Sequence, residues 1–509
     1  MGWDQLAAEL WTKIAGDCDK DGVRALCSPE MPQHIRDSAR PVQFRDLKFR
    51  AYNIWDDLDL SNVDSNQYPS SLIEMQERSR QRFTELPLSP MVRHVRHWQY
   101  IGHLPPEQPM NPDVDSEPES VQENMKKTFL RTYADAMWPL FRASLPRYVG
   151  LTELELTNVV INDATVTSVN TLGNLRTLKI INCIVPRLTV FLRPFDHLTE
   201  YIQQEEHTTF RVELMMAVCS TLTSLTIGAG KYHWRELYSA LEQCQVLQEL
   251  VIEFFEVEEV AFERPPPEAH LAITACPRLN DYTGPAYYAA DIITGRPVHT
   301  IRLIQLPDGA EEDPECIEWI REHFTKGTVP VLVFDGSRWP AYACAEEAFP
   351  TIFHEFPDLS SLRIVIEAFV LTDEVNLRDE DERERYKRWH YLNILHILSG
   401  PLPYEIPPTL ETLELVTDVN YNEHPTHNFD EVVAALRNSA NFANLQTLVV
   451  GTNDCFQTWT RLEPGVWNVV QEGDGFDFDG EGREYYSDSE DTSDDQGNIT
   501  EEEEASIDT

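Results

Sequence analysis

The sequence is poor in cysteine and in positive charge, and it contains no long apolar run. Its nine cysteines include no Cys-x-x-Cys pair, which argues against a zinc site or a disulfide framework. Lysine and arginine number 41 against 86 aspartates and glutamates, and the net charge of −45 would repel nucleic acid and anionic membranes. No stretch is apolar over the length that crosses a bilayer. We therefore expect no cofactor, no nucleic-acid partner and no membrane partner.

Motifs for secretion and catalysis are also missing. Asp4 and Glu9 lie where a secretory signal has its apolar core, so we expect a cytoplasmic or nuclear protein. Neither Gly-x-Ser-x-Gly nor His-Glu-x-x-His occurs. Residues 228–231, Gly-Ala-Gly-Lys, lack the first glycine and the final hydroxyl of a phosphate-binding loop. We predict a protein that is not an enzyme.

Two patterns could suggest a metal, and neither predicts one. Residues 17–22 begin like a calcium loop, with aspartates at alternate positions and a glycine, but Ser28 stands where a bidentate glutamate is needed. Cys219, Cys244 and Cys276 recur at one position of a repeated pattern. Isolated cysteines of this kind are typical of small buried hydrophobic residues. We predict no metal site.

One sequence motif recurs along the chain: an apolar residue, two spacers, a leucine, one spacer and a further apolar residue. First leucines at 151 and 175, and at 222 and 247, are 24 and 25 residues apart, which is the period of leucine-rich repeats. The steps of 47 residues from 175 to 222 and of 51 from 359 to 410 each predict one eroded copy. The copies are Leu151-Leu154-Leu156, Leu175-Leu178-Ile180, Leu222-Leu225-Ile227, Leu247-Leu250-Ile252, Leu359-Leu362-Ile364, Leu410-Leu413-Leu415 and Leu445-Leu448-Val450.

These short alternating runs predict strands, with weaker ones at residues 298–303, 331–333 and 91–98. A single repeat buries too little surface to fold alone, so neighbours must stack. We predict an α/β leucine-rich-repeat solenoid, a curved parallel sheet lined by helices, at residues 146–460. Residues 1–50 form a small helical module, and 51–145 are a connecting region with a proline-rich acidic loop and an amphipathic helix from about 120 to 145.

The C-terminal end is strongly acidic. Residues 471–509 contain sixteen aspartates and glutamates against the single Arg483, which predicts a disordered tail. Ser487 and Thr492 each have an acidic residue three positions later, the context that casein-kinase-type enzymes prefer. We predict phosphorylation at these two residues, which would add further negative charge.

The same motif predicts a binding surface. Side chains alternate across a strand, so the residues between the inward leucines point outward. This row mixes both charges with hydroxyl and apolar groups, which favours a protein partner over a polyanion. A solvated row without a partner has the same composition, and that alternative stays open. The predicted row is Glu155, Lys179, Thr226, Val251, Arg302, Arg363, Glu414 and Val449.

Two stretches resemble a known family. Residues 276–303 read CPRLNDYTGPAYYAADIITGRPVHTIRL, in which a repeat leucine is followed by Gly-Pro, a helix, Gly-Arg-Pro-Val and the next strand. Near the start, Leu6, Glu9-Leu10-Trp11, Ile14 and Leu26 precede the segment 38–49 in the order of an F-box. The chain is similar over most of its length to the F-box and leucine-rich-repeat proteins of mushroom-forming fungi.

The resemblance implies a function. In that family the F-box docks on the Skp adaptor of a cullin ubiquitin ligase, and the repeats present a surface to the substrate. It therefore implies a substrate receptor whose adaptor-binding residues are Leu6, Glu9, Leu10, Trp11, Ile14 and Leu26. The F-box is degenerate, because Ala7 replaces the family's proline and Pro29 and Pro32 occupy the place of its Val-Cys-x-x-Trp segment. The alternative is a leucine-rich-repeat interaction scaffold that no longer binds the adaptor.

Overall fold

A computed structural model gives the fold of the protein. It describes residues 8–18, 20–50, 70–104, 121–204, 214, 218–228, 234–253, 271–304, 333–340, 348–367, 395, 397–418, 440–452, 455–463 and 466–474. The helices of these segments are α1 Ala8–Asp17, α2 Lys20–Leu26, α3 Gln33–Gln43, α4 Ser70–Glu85, α5 Val121–Ser144, α6 Asp163–Val169, α7 Trp234–Leu241, α8 Ala286–Ile293 and α9 Phe349–Glu355.

The protein is an α/β protein built on one long, open sheet. Fifteen strands of the described segments pair in the order of the chain, which is compatible with a solenoid-like arrangement. The first thirteen run parallel, and the last two form an antiparallel hairpin. The strands are β1 Asp46–Arg50, β2 His97–Ile101, β3 Glu153–Thr157, β4 Thr177–Ile181, β5 Glu200–Gln204, β6 Ser224–Gly228, β7 Glu249–Glu253, β8 Asp281–Pro285, β9 Thr300–Ile304, β10 Val333–Pro340, β11 Ser361–Glu367, β12 Thr412–Asp418, β13 Thr447–Thr452, β14 Cys455–Glu463 and β15 Val466–Asp474.

The repeated leucines form the core. Leu154 and Leu156 of β3 stand in register with Leu178 and Ile180 of β4, and all four are buried. Helices add their apolar sides to the same cluster, as α7 does with Leu237. Each fully buried leucine contributes about 1.5–3 kcal/mol. The stacked inward rows are therefore what holds neighbouring strands together.

The first three helices form a separate small module. They contact one another, and Thr12 Oγ1 of α1 donates to the carbonyl of Ser38 in α3 at 3.3 Å. The buried apolar residues of this module do not belong to the main core of the sheet. They are Trp11, Ala15, Val23, Ile35 and Ala39.

Aromatic rings close the first end of the sheet. Trp98 of β2 meets Tyr148 edge to face, with ring centroids 4.2 Å apart, and Tyr100 lies 4.6 Å from Phe141 of α5. Phe49 of β1 stacks on Tyr100 at 4.9 Å. The predicted amphipathic helix is α5, and its aromatic residues cover the first strands.

One of the two predicted eroded copies exists and the other does not. Strand β5 lies between residues 175 and 222, with buried Tyr201 and Gln203 at the positions of the leucines. These two buried polar side chains form a hydrogen bond, in which the Tyr201 hydroxyl donates to Gln203 Oε1 at 2.9 Å. Between 359 and 410 the prediction is wrong: β11 pairs directly with β12 along its whole length. The extra residues there are an insertion.

The sheet also extends past both limits predicted for the repeats. Strands β1 and β2 precede residue 146, and the run predicted as a strand at 91–98 is a 3-10 turn, Pro90–His94, followed by β2. At the other end, residues 471–474 lie in β15 rather than in a tail. Residues 475–509 lie outside the described residues, and so does most of the helix that the spacing of apolar residues predicts from about Asp379 to Leu398.

The cysteines of the repeats are packing residues. Cys183, Cys219, Cys244 and Cys276 are buried and form no disulfide. Cys276 donates to the carbonyl of Leu241 at 3.2 Å, and burial raises its pKa to about 12. The Cys219 thiol, followed by burial, raises the pKa of Cys244. The thiols of Cys244 and Cys276 are therefore protonated at neutral pH.

Candidate binding face

The outward row predicted from the repeats is continuous in the structure. Register places one residue of each parallel strand beside the same residue of the next, so the eight predicted positions share a row with five others. We call it the central row. It runs Lys48, Gln99, Glu155, Lys179, Ile202, Thr226, Val251, Thr283, Arg302, Asp335, Arg363, Glu414 and Val449.

Exposure varies along the central row. Arg302 is exposed, whereas Glu155, Lys179, Arg363 and Glu414 are half-buried. Thr226, Val251 and Val449 are buried even though they lie on the outward face, with 7–8% of their surface accessible. A partner of the central row would therefore meet mainly its charged members.

Charged side chains near the start of the sheet pair across strands. Lys179 Nζ lies 3.2 Å from Glu153 Oε1, and His97 stands between Asp46 and Glu153 at 3.9 and 3.8 Å. Gln99 Nε2 donates to Glu155 in the central row. Partly exposed pairs of this kind contribute only about 0–1 kcal/mol each. Their main effect is to hold the long side chains in fixed orientations.

Similar pairs recur further along the face. Thr177 Oγ1 donates to Glu200 Oε2 at 2.8 Å, and Gln204 Nε2 donates to Glu253 Oε1 at 2.7 Å. Arg363 Nε lies 3.5 Å from Glu414 Oε2. The face is thus a mixed-charge surface, and its side chains could form hydrogen bonds and ion pairs with a protein.

Sequence reasoning missed five members of the central row. Lys48 and Gln99 lie on strands separated by segments of about fifty residues, which hide the period. Ile202 and Thr283 follow a tyrosine in place of the usual leucine, and Asp335 follows a phenylalanine. Counting any large inward residue, rather than leucine alone, would have found the last three.

The residues predicted to contact the Skp adaptor have different surroundings. Leu10 of α1 is 49% exposed, Ile14 and Leu26 are half-buried, and Trp11 is buried in the core of the helical module. Glu9 lies in α1. Leu6 lies outside the described residues, as do Ser487 and Thr492. Of Leu10, Trp11, Ile14 and Leu26, Leu10 has the most exposed side chain.

The described segments contain neither a cluster of metal ligands nor a membrane-spanning helix. Within them, no three histidine, cysteine, aspartate or glutamate side chains come together as a metal site. No helix in these segments combines the length and apolar character needed to cross a bilayer.

The chain matches no protein-family model and no curated protein. The fold alone defines its class: an α/β protein with a long, mostly parallel open sheet whose strands follow the order of the chain.

Proposed function

We propose that the protein is a leucine-rich-repeat receptor that binds a protein substrate and presents it to a Skp-cullin-F-box ubiquitin ligase. The central row would bind the substrate, and the N-terminal helical module would bind the adaptor. The observation that carries the proposal is the unbroken register that places one residue from each of thirteen parallel strands in a single row. A row of this kind offers a partner an extended surface on a rigid support.

The repeat pattern supports the leucine-rich-repeat assignment. The motif continues with two spacers and an asparagine or cysteine after its third apolar residue, and Cys183 occupies that position after Ile180. The buried Cys183 thiol lies 3.2 Å from the carbonyl of Leu156 in the preceding repeat. A side chain at this position therefore links successive repeats through the backbone.

The helical module gives weaker support to the ligase part. Its exposed Leu10 and half-buried Ile14 are four residues apart on α1, so they share one side of that helix. Buried Trp11 favours the alternative, a scaffold that has lost its adaptor contact, because it removes one of the residues that the resemblance assigns to the adaptor. The two functions differ in whether the chain binds the Skp adaptor, which can be measured.

Adaptor binding separates the two functions. We expect a pull-down with purified Skp adaptor to capture the full chain and Leu10→Asp to abolish capture. Because Leu10 is exposed, the variant should remain folded. Ile73→Asp is the matched control, since Ile73 is 56% exposed on α4, outside the module. Capture of the Leu10 variant at the level of the wild type would reject adaptor binding through Leu10 and favour the interaction-scaffold alternative.

The central row requires its own experiment. With a partner found by proximity labelling, we expect charge reversal of Lys179, Arg302 and Arg363 together to abolish binding. The control is Arg78→Glu, Arg80→Glu, Arg82→Glu on α4, because it makes a similar change in net charge at exposed side chains outside the central row. Unchanged binding by the central-row variant would remove the central row from the proposal while leaving adaptor binding intact.

A further inference from the structure

A second surface lies at the edge of the sheet where the strands begin. Backbone hydrogen bonds join the residue that precedes one strand to the residue that precedes the next strand. The amide of Arg96 donates to the carbonyl of Arg45 at 2.8 Å, and the amide of Thr152 donates to the carbonyl of Arg96 at 2.8 Å. The amide of Arg176 donates to the carbonyl of Thr152 at 2.7 Å. These four residues form a continuous row, which we call the strand-start row.

The strand-start row is basic in an acidic protein. Arg45, Arg96 and Arg176 are exposed, and no carboxylate of the described residues lies within 4.0 Å of their guanidinium groups. The Thr152 hydroxyl donates to the carbonyl of Arg96, so the arginines supply the free donors of the row. The next positions are Thr199, Thr223, Gln248, Asn280 and His299, none of which is acidic.

Arg96 is held in place at this edge. Its Nη1 donates to the carbonyl of Gly150 at 2.6 Å, and a Cβ on Gly150 would lie 2.3 Å from the same atom. Only glycine therefore allows this approach. Burial, and then the charges of Arg93 and Arg96, lower the pKa of His94. Arg93 is exposed as well, so a fourth arginine adds positive charge near this edge.

We propose that the strand-start row binds an extended acidic segment of a partner protein. Neighbouring strands are about 4.8 Å apart, so Arg45 and Arg176 are about 14 Å apart. Side chains on one side of an extended chain repeat every ~7 Å, and acidic residues at positions i, i+2 and i+4 therefore span the same distance. Guanidinium groups bind carboxylates through paired, charge-assisted hydrogen bonds. The inference depends on neither the adaptor nor the central row.

Fluorescence anisotropy with a labelled peptide of alternating glutamate and serine tests the proposal. We expect binding by the full chain and a loss of at least tenfold in affinity in the variant Arg45→Glu, Arg96→Glu, Arg176→Glu. The matched control is Arg78→Glu, Arg80→Glu, Arg82→Glu on α4, which makes the same change in net charge at exposed arginines. Replacement of the three row arginines with glutamine repeats the test without introducing repulsion.

Several results would overturn the proposal. Equal losses in the two triple variants, or no binding to either the wild type or chain 1–474, would show that the row is not a specific site. Binding that emerges only in chain 1–474 would identify the acidic segment 475–509 as the occupant instead of a partner. Competition by single-stranded RNA as strong as that by the peptide would show a general anion surface.

Discussion

At the scale of single residues, Arg296 explains the Gly-Arg-Pro-Val phrase. Its guanidinium is buried and donates to five backbone carbonyls, those of Ala272 and Ala275 at 2.7 Å, Asp291 at 2.9 Å, Ile292 at 2.7 Å and Thr294 at 3.2 Å. Three of these carbonyls lie at or after the end of α8, where helix carbonyls lack partners. One side chain thus closes a helix and binds the preceding loop.

Replacing this arginine should therefore be costly. We expect Arg296→Ala to lower the free energy of unfolding by about 3–5 kcal/mol, because several buried carbonyls lose a charged side-chain donor. Arg296→Lys should cost less but remain well below wild type, since an ammonium cannot reach the carbonyls with the same fork. Urea denaturation measures both. Arg302→Ala, at an exposed position, is the control, and a lysine variant as stable as wild type would contradict this role.

At the scale of an element, β8 uses a tyrosine and a glycine where β3, β4, β6 and β7 use two aliphatic residues. Buried Tyr282 points inward, and its hydroxyl donates to the carbonyl of Pro285 at 2.8 Å. A Cβ on Gly284 would lie 2.8 Å from that hydroxyl oxygen and 3.0 Å from Cβ of Ile252. The tyrosine therefore fills both inward positions, and the glycine leaves room for it.

The two residues should be coupled. We expect Gly284→Val alone to lower stability by about 1–3 kcal/mol through overpacking. Combining it with Tyr282→Leu restores the aliphatic pattern of the other repeats and should cost less than the sum of the single changes. A double-mutant cycle in urea denaturation gives the coupling energy. Additive effects would mean that the two inward positions are independent.

The sequence predicts some elements well and others poorly. Inward leucines at a fixed period located β3, β4, β6 and β7, and even the eroded β5, because register depends on which residues face the core. The period failed between β11 and β12, since an insertion and an eroded repeat add the same length. The same periodicity predicts eight members of the central row. It does not predict how deeply each of them is buried, because burial depends on residues that are distant in the sequence.

At the scale of the whole molecule, the two ends of the sheet are closed by different means. Aromatic residues of α5 cover the first strands, whereas the β14–β15 hairpin covers the last parallel strand. Trp459 pairs in register with Leu448 of β13, and both Trp459 and Trp467 belong to the main core. A stack of repeats needs such ends, because its last repeat would otherwise expose an apolar side and an unpaired strand edge.

The hairpin should therefore determine how stable the end of the sheet is. We expect Trp459→Ala to lower the free energy of unfolding by about 3–5 kcal/mol, since it leaves a large cavity against β13. Leu462→Ala, on the same strand but 64% exposed, should change it by less than about 0.5 kcal/mol. Urea unfolding followed by circular dichroism compares them in chain 1–474, with chain 1–452 as the form without the hairpin. Chain 1–452 should expose β13 and aggregate, and equal stability of the two point variants would show that β13 needs no cover.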